Sequence, residues 1–156
     1  MYQNLLFANR FKRVGWFLLT PSLLVGVFLI TTHYEPAVLN VKIWSLFPSL
    51  MATENYSWIH ANLANTITGI IFIAGGILVG FSKERDEDEY IANLRLSALL
   101  WAVLINYTLL LLAFICVYEF AFFTVMIYNM FTVLLLFIAR FQFLLYRNAK
   151  ILADAE

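Results

Sequence analysis

The stretch ALLWAVLINYTLLLLAFICVYEFAFFTVMIYNMFTVLLLFIA, from Ala98 to Ala139, contains a single charged residue, Glu119. An α-helix rises 1.5 Å per residue, so about 20 apolar residues cross the ~30 Å hydrocarbon layer of a bilayer. This stretch is long enough for two such helices, with Glu119 near their junction. Because only a few residues are left for the link, the two helices must be antiparallel neighbours. The stretch therefore predicts a transmembrane helical hairpin.

The chain as a whole is strongly apolar. Of its 156 residues, 63% are hydrophobic and 13% are charged, against about 45–50% and 25% in a soluble domain. The apolar runs are continuous, whereas barrel strands would alternate between apolar and polar residues. We therefore expect an all-α integral membrane four-helix bundle that forms one transmembrane domain over residues 1–156. The predicted helices cover about 14–32, 61–81, 96–118 and 121–141.

Lysine and arginine set the predicted orientation, because cytoplasmic loops are enriched in these residues. Nine of the ten fall on one side of the predicted membrane, and Lys42 alone falls on the other. The nine are Arg10, Lys12, Arg13, Lys83, Arg85, Arg95, Arg140, Arg147 and Lys150. Both termini and the acidic loop 82–95 should then be cytoplasmic (N-in/C-in), and the loop 33–60 should be external.

The external loop 33–60 has apolar residues at helical spacing, namely Leu39, Ile43, Leu46 and Leu50. Pro36 could occupy the first turn of a helix. We expect a short interfacial helix that lies on the outer leaflet.

Small residues on the second helix predict a packing seam at Gly69, Gly76 and Gly80. Helices in lipid gain no hydrophobic driving force from association, so close backbone approach matters, and small residues permit it. A dimer interface is the alternative interpretation of this seam.

Two asparagines, Asn106 and Asn129, should lie at similar depths in the hairpin on either side of Glu119. A hydrogen bond between these amides would fix the register of the two helices. The alternative is a polar path for a solute.

Five carboxylates occupy six positions just before the third helix: Glu84, Asp86, Glu87, Asp88 and Glu89. Acidic residues favour a helix N-terminus, and Lys83–Glu87 and Arg85–Glu89 would be i,i+4 pairs in a helix. Five carboxylates exceed what a helix start needs, and they repel one another. Three explanations stay open: an intramolecular clasp with Arg10, Lys12, Arg13, Arg147 and Lys150, a docking surface for a protein partner that includes Arg95, or cation binding.

Catalytic signals are absent from the sequence, so we expect no enzyme activity, metal or cofactor. No G-x-S-x-G motif occurs, and the acidic cluster lacks the glycine of an EF-hand loop. The predicted helices contain no central charged residue, which argues against an ion-coupled transporter. The scattered basic residues form no patch for nucleic-acid binding.

The segment FSKERDEDEYIANLRLSALLWAVLINY, followed by VMIYNMFTVLLLFIARFQFLLYR, resembles an uncharacterised family of small four-helix bacterial inner-membrane proteins. The family pattern K-E-x-x-E-D-E-[YF]-I-x-x-[LI]-R-x-x-S is matched by Lys83, Glu84, Glu87, Asp88, Glu89 and Arg95, whereas Ser97 lies one residue before the serine position of the pattern. The likeness extends over roughly Phe81 to Arg147. It implies the four-helix topology and a bacterial inner (cytoplasmic) membrane location, but no activity.

Two functions from different classes follow. The first is a non-enzymatic signalling or scaffold protein, or a subunit of a membrane complex, that docks a cytoplasmic partner through the acidic loop. The second is an oligomeric pore or small-solute transporter that uses polar residues inside the bundle: Asn62, Asn65, Thr66, Asn106, Tyr107, Tyr128 and Asn129. Expected partners are membrane lipids and either a cytoplasmic or membrane protein or further copies of the chain.

Overall fold

The computed structural model describes residues 6–32, 36, 39–44, 58–84 and 88–153. These residues form four helices and one two-stranded antiparallel sheet. In chain order the elements are α1 (Arg10–Thr32), β1 (Asn40–Trp44), β2 (Trp58–Asn62), α2 (Ala64–Gly80), α3 (Glu89–Cys116) and α4 (Glu119–Ala153). The predicted helical class is confirmed.

Three of the helices are long and apolar enough to cross a membrane: α1, α3 and the part of α4 from Glu119 to Lys150. Many of their large apolar side chains point outward, as with Phe17 (78% exposed) and Phe120 (81%). In water this exposed surface would be costly, whereas in lipid it is solvated. The remaining helix, α2, has 17 residues and is shorter than the helix predicted for residues 61–81.

The chain divides into two compact units. The first, which we call the helical unit, contains Met1–Phe17 and Ile73–Glu156, and the second, the hairpin unit, contains Leu18–Phe72. Both α1 and α2 contribute residues to each unit.

The hairpin unit contains β1 and β2, which pair with Val41 opposite Ala61 and Ile43 opposite Ile59. The interfacial helix expected from Leu39 to Leu50 is therefore wrong for residues 40–44, while Leu46 and Leu50 lie outside the described residues. The second helix predicted to begin at residue 61 is wrong for residues 61 and 62, which belong to β2. Both segments are rich in β-branched and aromatic side chains, which favour the pleated conformation. A spacing of four residues, as between Leu39 and Ile43, places two side chains on one face of a helix and equally on one face of a strand, so it does not distinguish the two.

Asn62 explains why α2 begins later than predicted. Its Nδ2 donates to the Pro36 carbonyl and to Asn40 Oδ1, both at 2.9 Å. Its Oδ1 accepts a hydrogen bond from the Ala64 amide at 3.0 Å. This one side chain ends the sheet and satisfies an amide of the first helical turn, as residues at helix starts commonly do.

In the helical unit, α3 and α4 run antiparallel along their whole length. Phe114 contacts Phe122 beside the turn, and Tyr90 Oη donates to Asn148 Oδ1 at 3.3 Å at the far end. Glu119, at the turn, has a φ of 58°. The short link between the two apolar runs thus gives the hairpin predicted from the sequence, although α4 continues to Ala153 instead of ending near residue 141.

Candidate functional site

Residues before α1 pair with the chain that follows α2. The Phe7 amide donates to the Phe81 carbonyl at 3.0 Å, and the Lys83 amide donates to the Phe7 carbonyl at 2.8 Å. These two bonds form a parallel bridge between Phe7 and Ser82. The pairing holds the start of the acidic segment next to the start of α1.

An ion pair strengthens this junction. Lys12 Nζ lies 2.6 Å from Glu84 Oε1 and 2.8 Å from Oε2, and the two side chains are only 18% and 15% exposed. Partial burial weakens solvent screening, so this pair contributes more than an exposed one would. The sequence offers five basic residues as intramolecular partners for the acidic cluster. Within the described part of the chain, Lys12 is the one of these five that forms an ion pair with a carboxylate of the cluster.

Arg95 joins α3 to the same junction. Its side chain is 8% exposed, its Nη2 donates to the Ser82 carbonyl at 3.1 Å, and its guanidinium lies 5.0 Å from the ring of Phe141 in α4. Ser82 is fully buried, and its hydroxyl donates to the Leu78 carbonyl. Arg95 therefore packs inside the helical unit and is not exposed to a docking partner, contrary to the prediction.

We call Phe7, Lys12, Ser82, Glu84 and Arg95 the clasp. It joins the segment before α1, the first turn of α1, the chain after α2, and α3.

Glycines let α2 pack closely in this unit. A Cβ atom on Gly80 would lie 2.5 Å from Cε1 of Phe137, and one on Gly76 would overlap the side chain of Leu134. The predicted seam at Gly76 and Gly80 thus faces α4, inside the chain. Gly69, its third member, lies in the hairpin unit and is partly exposed.

The acidic cluster divides by role. Glu84 belongs to the clasp, and Asp88 caps α3 by accepting from the Ile91 amide at 2.8 Å. Glu89 is exposed in the first turn of α3. Asp86 and Glu87 lie outside the described residues. The expected Lys83–Glu87 and Arg85–Glu89 pairs therefore also involve residues outside the described part of the chain.

Asn106 and Asn129 bond to each other in both directions. Asn106 Nδ2 donates to Asn129 Oδ1 at 3.1 Å, and Asn129 Nδ2 donates back at 3.3 Å. Asn106 is 2% exposed, whereas the neighbouring Tyr107 and Tyr128 are 64% and 42% exposed. The two amides satisfy one another between the helices, so they offer few free polar groups to a solute.

Sequence reasoning missed Phe7, Ser82, Phe137 and Phe141. Phe7 and Ser82 are joined by backbone hydrogen bonds, which side-chain types do not reveal, and the two residues are far apart in the sequence. The signal that could have found Phe137 and Phe141 is their spacing of four residues on one face of α4.

No group of three or more His, Cys, Asp or Glu side chains suited to a metal ion occurs within the described part of the chain. Comparisons with protein-family models, curated proteins and solved structures found no match.

Proposed function

We propose that the chain is a multi-pass protein of the bacterial inner membrane, with both termini in the cytoplasm. The support is the nine-to-one distribution of Lys and Arg together with three helices of spanning length. The fourth pass is α2, whose 17 residues rise about 26 Å and stand at the lower limit for a span. The resemblance to small four-helix inner-membrane proteins supports the same placement.

Single cysteines test this topology. In a Cys116→Ser background, Glu119→Cys lies at the α3–α4 turn and Lys150→Cys lies near the end of α4, and both positions are exposed. A membrane-impermeant maleimide added to spheroplasts should label residue 119 and not residue 150. Labelling of residue 150 alone would reverse the orientation, and equal labelling of both would contradict a spanning α4.

We further propose that the protein acts without catalysis, as a scaffold, signalling protein or complex subunit that docks a protein with a basic surface. One observation carries this proposal: the clasp and the α3 cap use two of the five clustered carboxylates, Glu84 and Asp88. Glu89 is exposed beside them. Uncompensated like charges destabilise a fold, and a basic partner would relieve that repulsion.

Because Glu84 and Asp88 have structural roles, a variant that tests docking should change other carboxylates of the cluster. Glu87→Lys with Glu89→Lys reverses two carboxylates of the cluster while keeping the Lys12–Glu84 pair and the Asp88 cap. The matched control is Asp154→Lys with Glu156→Lys, which makes the same charge change at the C-terminus. Glu89 is the exposed first residue of α3, so neither pair changes the apolar part of a spanning helix.

The experiment is affinity purification of each tagged protein from its host in mild detergent, with quantitative mass spectrometry of co-purifying proteins. We expect a stoichiometric partner with the wild type and the control, and its loss with the Glu87/Glu89 variant. Equal recovery of every co-purifying protein from all three samples would refute docking through this cluster.

A further inference from the structure

An open cavity of about 510 Å³ lies at the beginning of α1, lined by Asn9, Arg10, Lys12, Arg13 and Glu84. Three of these residues are cationic and one is anionic, so the lining carries a net positive charge. Lys12 and Glu84 neutralise each other through their 2.6 Å ion pair. The excess charge therefore belongs to the two arginines.

Arg10 and Arg13 are three residues apart in α1, so they lie on the same face of the helix. Both are exposed, and no carboxylate among the described residues forms an ion pair with either of them. Planar guanidinium groups bind phosphate oxygens through two parallel hydrogen bonds, which makes paired arginines suited to phosphate.

The cavity also adjoins an apolar surface. The run of apolar residues begins at Val14, directly after Arg13, and Phe17 is 78% exposed one turn further along α1. Trp16, the residue before Phe17, is 36% exposed, and tryptophan is enriched at the level of lipid headgroups. A molecule bound to both surfaces would have a phosphate at the arginines and hydrocarbon chains along Val14 and Phe17.

We propose that this cavity binds the phosphate headgroup of an anionic phospholipid of the cytoplasmic leaflet. Arg10 and Arg13 hold the phosphate, the Asn9 amide provides a further hydrogen bond, and the acyl chains lie along the exposed apolar surface of α1. The ion pair with Glu84 fixes Lys12 at the cavity wall. This proposal uses the membrane placement given above but is independent of docking through the acidic cluster.

The test is native mass spectrometry of the purified protein with phosphatidylglycerol or, as the zwitterionic control, phosphatidylcholine. The wild type should retain phosphatidylglycerol at least about fivefold more than phosphatidylcholine. Arg10→Gln with Arg13→Gln should abolish this preference. Arg147→Gln with Lys150→Gln, which removes two exposed charges near the end of α4, should leave it intact.

Glycerol phosphate, added as a headgroup without acyl chains, separates a lipid site from a site for free phosphate. If millimolar glycerol phosphate displaces the lipid completely, the cavity recognises a soluble anion, and the lipid proposal is wrong. Equal retention of the two lipids by the wild type would also overturn it, and this comparison needs no variant. Failure of the docking experiment would leave either result unchanged.

Discussion

The reciprocal bonds between Asn106 and Asn129 predict a measurable coupling between α3 and α4. Replacing Asn106 by Leu leaves the amide of Asn129 without its partner, and an unsatisfied buried polar group costs about 1–3 kcal/mol. Replacing both by Leu removes donor and acceptor together. The double variant should therefore lose less stability than the two single variants combined, by about 0.6–1.7 kcal/mol, the range for interhelical bonds in membranes.

The assay is a double-mutant cycle on the free energy of unfolding, measured in mixed micelles by titration with a denaturing detergent. Thr108→Val and Thr132→Val form the matched control, because each hydroxyl bonds to a carbonyl of its own helix. These changes should be additive. If the asparagine cycle is also additive within about 0.3–0.5 kcal/mol, the two amides do not stabilise each other and the reasoning fails.

Three further stability predictions use the same assay. Gly80→Ala should destabilise by about 1–3 kcal/mol, because the new Cβ would lie 2.5 Å from the Phe137 ring. Gly26→Ala, whose Cβ would meet its nearest neighbour at 3.6 Å, should be neutral or stabilising, and equal losses at both sites would contradict the packing argument. Glu119→Gly should be about 1–2 kcal/mol more stable than Glu119→Ala, since residue 119 has a φ of 58° and only glycine adopts it without strain; no difference would refute this. Asp88→Ala should lose about 0.5–2 kcal/mol and Asp88→Asn much less, as expected if the side-chain oxygen caps α3.

Local pattern was enough to predict the helices and the hairpin. Apolar run length defines a helix that can cross a bilayer, and the short link at Glu119 requires α3 and α4 to be antiparallel. The link consists of Val117 and Tyr118, and Asn106 lies 11 residues before Val117 while Asn129 lies 11 residues after Tyr118, so the turn brings the two amides together. Asp88 could be read as part of a helix start because capping depends on residues only three apart.

The sheet and the clasp depend on contacts between distant segments. β1 ends at residue 44 and β2 begins at residue 58, so their pairing joins segments that are separated in the sequence. Neither strand is long enough to be distinguished from a helix by its periodicity. The sequence places Arg95 among the cytoplasmic charges, because a residue's charge does not reveal whether its side chain is buried. Its position over Phe141, with Ser82 as acceptor, requires three separate segments to meet.

The length of α4 exceeds what is needed to cross a bilayer. Its 35 uninterrupted residues rise about 52 Å, whereas the hydrocarbon layer measures ~30 Å. In the proposed membrane placement, with Glu119 at one surface, the last turns of α4 would extend beyond the other surface, attached to α3 by the Tyr90–Asn148 hydrogen bond. A protein bound beside Asp88 would then lie at a fixed distance from the lipid surface, because the helices hold it there. Adding or removing one helical turn would change that distance by about 5.4 Å.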